Sequence, residues 1–383
     1  MKKLLITSTA LTLCAASAHA VGLDRSGQRI GVLFETGNHL EFSLGFADPT
    51  LEGNAFPAFG GGASGNVADT FSIFSLSFKG DITEKLSFAI IGDEPFGSDI
   101  FYPNNPATSI LGGTGATVDS VALTALLRYK FNDNWSVHGG LRYQEVDSVV
   151  TLGGLAFNSS ATPFVPSGVN GYRAEFDSDG DIGIVLGAAY EIPDIALRVA
   201  VTYNSGTTHN LPTTESIRGT QISAPGATSE VDSPESLNVA FQTGIAPDTL
   251  LFGSLRYARY SDTVLAPTGF GALTGGSVLT DLEDGYDFEL GVGRRFSEKW
   301  SGSVSAGFTT VGDDDLISPL APNNGSQFIA VGAKYDVNEK FAISGGVRYT
   351  SLGDATSAPG GNGVARFEGN SAVSAGLRFA FKF

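Results

Sequence analysis

Across residues 365–383 the chain alternates. Phe367, Val373, Ala375, Leu377, Phe379, Phe381 and Phe383 occupy odd positions, while Arg366, Glu368, Asn370, Ser374, Gly376, Arg378 and Lys382 occupy even ones. Period two predicts a β-strand with one apolar and one polar face. The run predicts one long strand, well beyond the five or six residues usual in soluble sheets. The same alternation recurs upstream. Trp135, Val137, Gly139, Leu141 and Tyr143 oppose Ser136, His138, Gly140, Arg142 and Gln144, and residues 195–204 and 341–350 repeat it. An edge strand of a soluble sandwich would give one such run. Many long runs, apolar outward and polar inward, predict a transmembrane barrel.

Six short turns punctuate these strands, at 79–85, 132–134, 192–194, 246–249, 297–299 and 337–340. They are rich in Asn, Asp, Pro, Gly or charge. An aromatic precedes each one (Phe78, Phe131, Tyr190, Phe241, Phe296, Tyr335), and Trp135 and Trp300 each follow one. This predicts an interfacial girdle on one side of a membrane. The opposite connections, such as 53–68 and 210–230, are long and rich in Gly, Pro, Ser and Thr. Short turns on one side and long loops on the other place the short turns in the periplasm. Two strands between successive turns, with two more at each end, make about fourteen. The first spans about 39–51 and the twelfth lies near 324–335. The predicted fold is therefore all-β: a transmembrane antiparallel β-barrel over residues 39–383. A lumen of that width is too large for wall side chains to fill. Residues 21–38 fit no clean strand pair, so they form either a short N-terminal plug (a hatch) in the lumen or a periplasmic tail.

Composition narrows the class. Met1-Lys2-Lys3, an apolar run and Ala18-His19-Ala20 predict a secretory signal peptide over residues 1–20. The one cysteine, Cys14, lies inside it and follows Leu13, not the small residue that a lipoprotein site needs. No disulfide framework or thiol chemistry is expected in the mature chain. The net charge is −17, with 23 Lys and Arg against 40 Asp and Glu, so no basic patch invites nucleic acid. No apolar run beyond residue 20 is long enough for a helical span, and a closed barrel is the other way to cross a bilayer. His39, His138 and His209 fall in no nucleophile or metal-ligand spacing. No enzyme activity, cofactor or metal is expected.

Six arginines sit between apolar neighbours and point inward by parity: Arg128, Arg142, Arg198, Arg256, Arg348 and Arg378. On the lipid face each would cost about 2–4 kcal/mol at mid-membrane. Inside they form a salt-bridge lattice with acids such as Glu289 and Glu368, or one or two hold a substrate carboxylate by a bidentate contact. In the third strand, Gly92-Asp93-Glu94-Pro95-Phe96-Gly97 cannot continue a ladder undisturbed. The strand either ends there or kinks and leaves a gap towards its neighbour. Phe56, Phe59, Leu155, Phe157, Phe164 and Val165 lie in the long connections. Such apolar clusters either bind something or pack on each other. Asp313-Asp314-Asp315 is a solvated acidic loop or a divalent-cation bridge to lipopolysaccharide. The terminal Phe383 is the expected contact with the barrel-assembly machinery.

Fourteen strands, a plug-like N-terminus and Pro-Phe-Gly in the third strand together resemble the outer-membrane long-chain fatty-acid transporters, the FadL family. The resemblance implies that 21–38 is a hatch inside the barrel. It implies that Pro95, Phe96 and Gly97 mark a lateral opening in the wall. It also implies that apolar loops capture hydrophobic substrates, long-chain fatty acids or hydrocarbons, from the lipid and lipopolysaccharide surface. The Asn-Pro-Ala of that family's hatch is missing from 21–38, and Asn105-Pro106-Ala107 falls in a loop. The alternative function is a general diffusion porin with an open aqueous lumen.

Overall fold

The computed structural model describes residues 23–158, 168–280, 282–312 and 315–383. The expected signal peptide, Phe164, Val165, Asp313 and Asp314 lie outside them. Fourteen antiparallel strands close into a barrel. In chain order they are β1 (His39–Thr50), β2 (Phe71–Asp81), β3 (Leu86–Asp93, resuming as Gly97–Phe101), β4 (Gly115–Lys130) and β5 (Trp135–Leu152). Then come β6 (Tyr172–Ile192), β7 (Leu197–Asn204, resuming as Thr207–Ile217), β8 (Thr228–Ser233, resuming as Ser236–Ala246) and β9 (Thr249–Ala258). The last five are β10 (Gly285–Arg295), β11 (Trp300–Thr309), β12 (Ser326–Asn338), β13 (Phe341–Leu352) and β14 (Ser371–Lys382). Pairing of β1 with β14, from His39 opposite Lys382 to Thr50 opposite Ser371, closes the wall.

Side-chain alternation is what makes these strands membrane staves. On β14, Val373, Leu377 and Phe381 are exposed on the outer face while Ala372, Ser374 and Ala380 are buried. The same holds on β5, where Trp135, Val137, Leu141 and Tyr143 face out and Ser136, His138, Arg142 and Gln144 face in. At the short-turn rim Trp135 packs on Tyr190 and Trp300 on Tyr335, both with ring centroids 4.7 Å apart. At the other rim, Tyr143, Tyr203 and Tyr257 hydrogen-bond Glu145, Glu235 and Asp284. Each ring stays in apolar surroundings while its hydroxyl reaches a polar partner.

The run 365–383 is not one strand. Gly369 adopts φ 67° and breaks it, a conformation open to glycine. Upstream, Ala365–Phe367 joins Glu52–Ala55, Ala63–Asn66, Leu316–Ile317 and Ala355–Ser357 in a small sheet over the long-loop end. Phe367, expected on the lipid face, is fully buried in this roof. Glu368, expected in the lumen, is exposed and receives a hydrogen bond from Arg366 Nε at 3.0 Å. Alternation continued through the break, so parity alone misplaced both residues.

Residues 23–38 lie inside the barrel, against inward-facing side chains. Ile30, Val32 and Leu33 pack on Ala89, Ile91, Leu126 and Val185 of the wall. Burying each of the three contributes about 1.5–3 kcal/mol.

Candidate functional site

The lumen beside this N-terminal segment holds a pocket of about 1090 Å³, part of it open to solvent. Its apolar lining includes Phe34, Ala200, Phe252 and Phe328, and its polar lining includes Arg29, Arg198, Arg256, Glu289 and Arg348. An apolar chamber with a few convergent polar groups is the usual form of a small-molecule site. A smaller space of about 600 Å³ lies beside it, with Glu35, Glu41, Ser43, Ser77 and Arg378 among its lining. The two share Arg29, Gly31 and Arg198. Burial holds the Glu35 carboxyl above the usual carboxylate range, and Glu41 nearby raises it further.

All six predicted arginines sit on inward-facing positions, and each has partners. Arg256 makes a bidentate contact with Asp24, both bonds 2.7 Å, and also donates to Gln28 and Asn238 at 3.1 and 3.0 Å. Arg128 donates to Ser136 and pairs with Glu191. Its guanidinium and that of Arg198 stack on the Phe34 ring, at 4.6 and 4.8 Å from the centroid. Arg198 also donates to Gln242 at 3.1 Å, and Arg142 to Thr124 at 3.0 Å. Arg348 lies 3.9 Å over the Phe328 ring and 4.0 Å from Glu289. Arg29 reaches the same Glu289 oxygen at 4.0 Å and is the more exposed of the two. The structure thus brings Arg198, Arg256 and Arg348 to the large pocket and Arg378 and Arg198 to the small one, while Arg128 and Arg142 line neither.

At Asp93 the third strand leaves its ladder. Phe96 N donates to Ser120 Oγ at 2.8 Å, and that hydroxyl donates back to Phe96 O at 2.7 Å, holding the kink on the β4 side. On the β2 side pairing stops at Leu76 opposite Gly92 and returns only at the bridge between Ala68 and Ile100. Residues 23–25 fill this window from within. Arg25 N donates to Pro95 O and Gly97 N to Leu23 O, both at 2.8 Å. The N-terminal segment replaces β2 as the ladder partner of the kink. The Arg25 side chain spans the window, bonded to Asp99 of β3 at 2.7 Å and 4.3 Å over the Phe71 ring of β2. Ser26 donates to Asp93 at 2.5 Å. Gly97 is required by this approach: a Cβ there would lie 2.2 Å from Arg25 Nε.

Of the loop candidates, Phe59 is exposed and Phe56 half-buried at the roof, whereas Phe157 belongs to the roof's buried core and Leu155 packs against it. Sequence reasoning did not find Asp24, Gln28, Phe34 or Phe252. The available signal was charge: Asp24 and Arg25 open a segment that must meet six inward arginines.

The fold matches solved structures throughout. A Pseudomonas aeruginosa FadL homologue superposes with a TM-score of 0.73 at 12% identity, covering 96% of each chain. The P. putida toluene transporter TodX matches at 0.60 and 12%, covering 91% of this chain and 90% of that one. The Ralstonia pickettii toluene transporter TbuX matches at 0.60 and 15%, covering 92% and 90%. No curated protein sequence matches the chain. The sequence model of the outer membrane transport proteins OMPP1/FadL/TodX matches residues 36–383. With a closed fourteen-stranded wall and that match over most of its length, the chain belongs to the OMPP1/FadL/TodX family, outer-membrane transporters of hydrophobic substrates.

Proposed function

We propose that this protein passively carries long-chain fatty acids across the outer membrane, with residues 21–38 as its hatch and the β2–β3 window as its lateral exit. The observation that carries the reading is the large lumen pocket next to a window into which the N-terminal segment docks. Phe56 and Phe59 at the roof capture the substrate from the lipopolysaccharide surface. The apolar chain then occupies the space against Phe252 and Phe328. Arg29 and Arg348 stand 4.0 Å from Glu289, longer than a hydrogen bond. A substrate carboxylate competes for these two guanidinium groups. The substrate leaves laterally into the membrane once residues 23–25 withdraw from Pro95, Phe96 and Gly97. A hydrocarbon is the second reading, supported by the engagement of Arg198 and Arg256 with protein partners. Phe383, exposed at the short-turn rim, is the contact offered to the barrel-assembly machinery.

The test pairs titration with conductance. The refolded barrel is titrated with oleate and with toluene, and its planar-bilayer conductance is recorded. Saturable oleate binding that Arg348→Ala weakens at least tenfold, with little steady conductance, supports the fatty-acid reading. Toluene binding indifferent to Arg348→Ala, without oleate binding, transfers the reading to hydrocarbons. Large steady conductance without binding of either leaves a general diffusion porin.

A further inference from the structure

Arg348 owes its reach across the lumen wall to a position with no side chain. It rises from β13, and Glu289 from β10, three ladders away. At about 4.8 Å per ladder, that is roughly 14 Å of wall. Glu289, Gly307, Phe328 and Thr350 stand opposite one another in turn, on β10, β11, β12 and β13. They form one rung across the wall. Arg348 starts two residues along β13 from this rung, yet its guanidinium lies 3.9 Å over the Phe328 ring and 4.0 Å from Glu289. The side chain therefore leans along the rung, over β12 and towards β10.

Gly307 opens this path. The Phe328 ring lies over its bare backbone: a Cβ there would be 2.6 Å from both Cε1 and Cζ of the ring, and closer still to Phe288 O. The φ of Gly307 lies outside the left-handed region, so close approach, not backbone conformation, is what calls for glycine in this strand. With a larger residue the ring would lift off the wall and stand between Arg348 and Glu289. One rung nearer the short turns, Phe252 covers Gly291 in the same way, with a Cβ there only 2.8 Å from its Cε2. Both rings line the chamber. A ring face attracts a guanidinium, so Phe328 is a seat for Arg348 as well as apolar lining. Thr350 ends the rung. It is 1% exposed, and its hydroxyl has no hydrogen-bond partner among the described residues. A buried hydroxyl ordinarily has one. Beside an arginine that lines the chamber, the acceptor that fits is one carried in by the substrate.

We propose that this rung is the head-group site: Phe328, seated on Gly307, is the positioning residue for Arg348, and the Thr350 hydroxyl donates a second hydrogen bond to the substrate carboxylate. It rests on the fatty-acid reading above and adds the two residues that select a carboxylate over a neutral head group. The test titrates the refolded barrel and its variants with oleate and with the neutral oleyl alcohol. Phe328→Leu is expected to weaken oleate binding by about tenfold while the alcohol binds as in the parent. Phe328→Tyr keeps the ring and is expected to keep oleate binding. Thr350→Val keeps the shape and is expected to weaken oleate by about tenfold, again sparing the alcohol. Because it removes a buried hydroxyl without a partner, it should not lower the melting temperature of the ligand-free barrel. This variant also serves if Phe328→Leu does not fold. Loss of both ligands alike, or of neither, would overturn the proposal. If Arg348→Ala weakens oleate and these variants do not, the rung is refuted and the fatty-acid reading stands. A parent barrel that binds the alcohol but not oleate refutes both. One that shows the expected losses yet transfers no oleate between vesicles refutes the transport reading alone.

Discussion

Arg256→Ala is the sharpest probe of how the lumen is closed. Arg256 and Asp24 are both buried and joined by two 2.7 Å bonds, and the same guanidinium donates to Gln28. Three of its four named bonds therefore end on the N-terminal segment. Removing one partner of a buried ion pair costs about 3–5 kcal/mol, because the other charge is left uncompensated. The loss falls on docking of residues 23–38, since the ladders flanking Arg256 on β8 and β10 are main-chain bonds. At about 1.4 kcal/mol per decade, even the lower figure raises the undocked population by about a hundredfold. The assay is single-channel conductance in planar bilayers. Arg256→Ala should convert rare, brief openings into long-lived ones, and Asp24→Ala should act in the same direction. Arg173→Ala, which removes an exposed pair with Glu175, should leave the record unchanged. If Arg256→Ala and Asp24→Ala both keep the wild-type conductance, the ion pair does not hold the segment, and the reasoning fails.

Three further outcomes follow from named contacts. Gly97→Ala drives a methyl into Arg25 and should detach it from Asp99 and Phe71; a thiol-reactive label at Ser26→Cys should then react at least tenfold faster than in the Gly97 parent. Glu215 accepts hydrogen bonds from Tyr172 OH and from the N–H groups of Gly269 and Phe270, which begin the short helix Thr268–Thr274. Glu215→Ala should expose residues 259–284 to limited proteolysis, while the barrel keeps its heat-modifiable migration on gels. Phe252→Trp places a larger ring against the lumen pocket and should weaken oleate binding by about tenfold in fluorescence titration, with no change in folded yield.

Most of the barrel was legible in the chain because lipid imposes it locally. A strand with lipid on one side and lumen on the other must alternate. So Leu141, Leu255 and Val347 face out and Arg142, Arg256 and Arg348 face in, as parity requires. Turn chemistry and flanking aromatics likewise marked the short-turn rim at Trp135 and Trp300 without reference to any distant residue. The Pro95 kink was visible too, since proline cannot donate to a ladder.

What fills a gap is a matter of tertiary structure. Nothing near Pro95 in sequence announces that Leu23 and Arg25 become its ladder partners, or that Asp24 neutralises Arg256, more than two hundred residues away. Phe34 finds its place between Arg128 and Arg198 only once β4 and β7 stand around the same lumen. The departures have the same origin: the 365–383 alternation ran on past Gly369, but Phe367 was drawn into the roof sheet with strands from two other loops. Alternation and turn residues, which act over a few positions, determined a closed wall with an arginine-lined interior. Long-range charge pairing and strand closure decided where that wall is interrupted and which side chains stop the gaps.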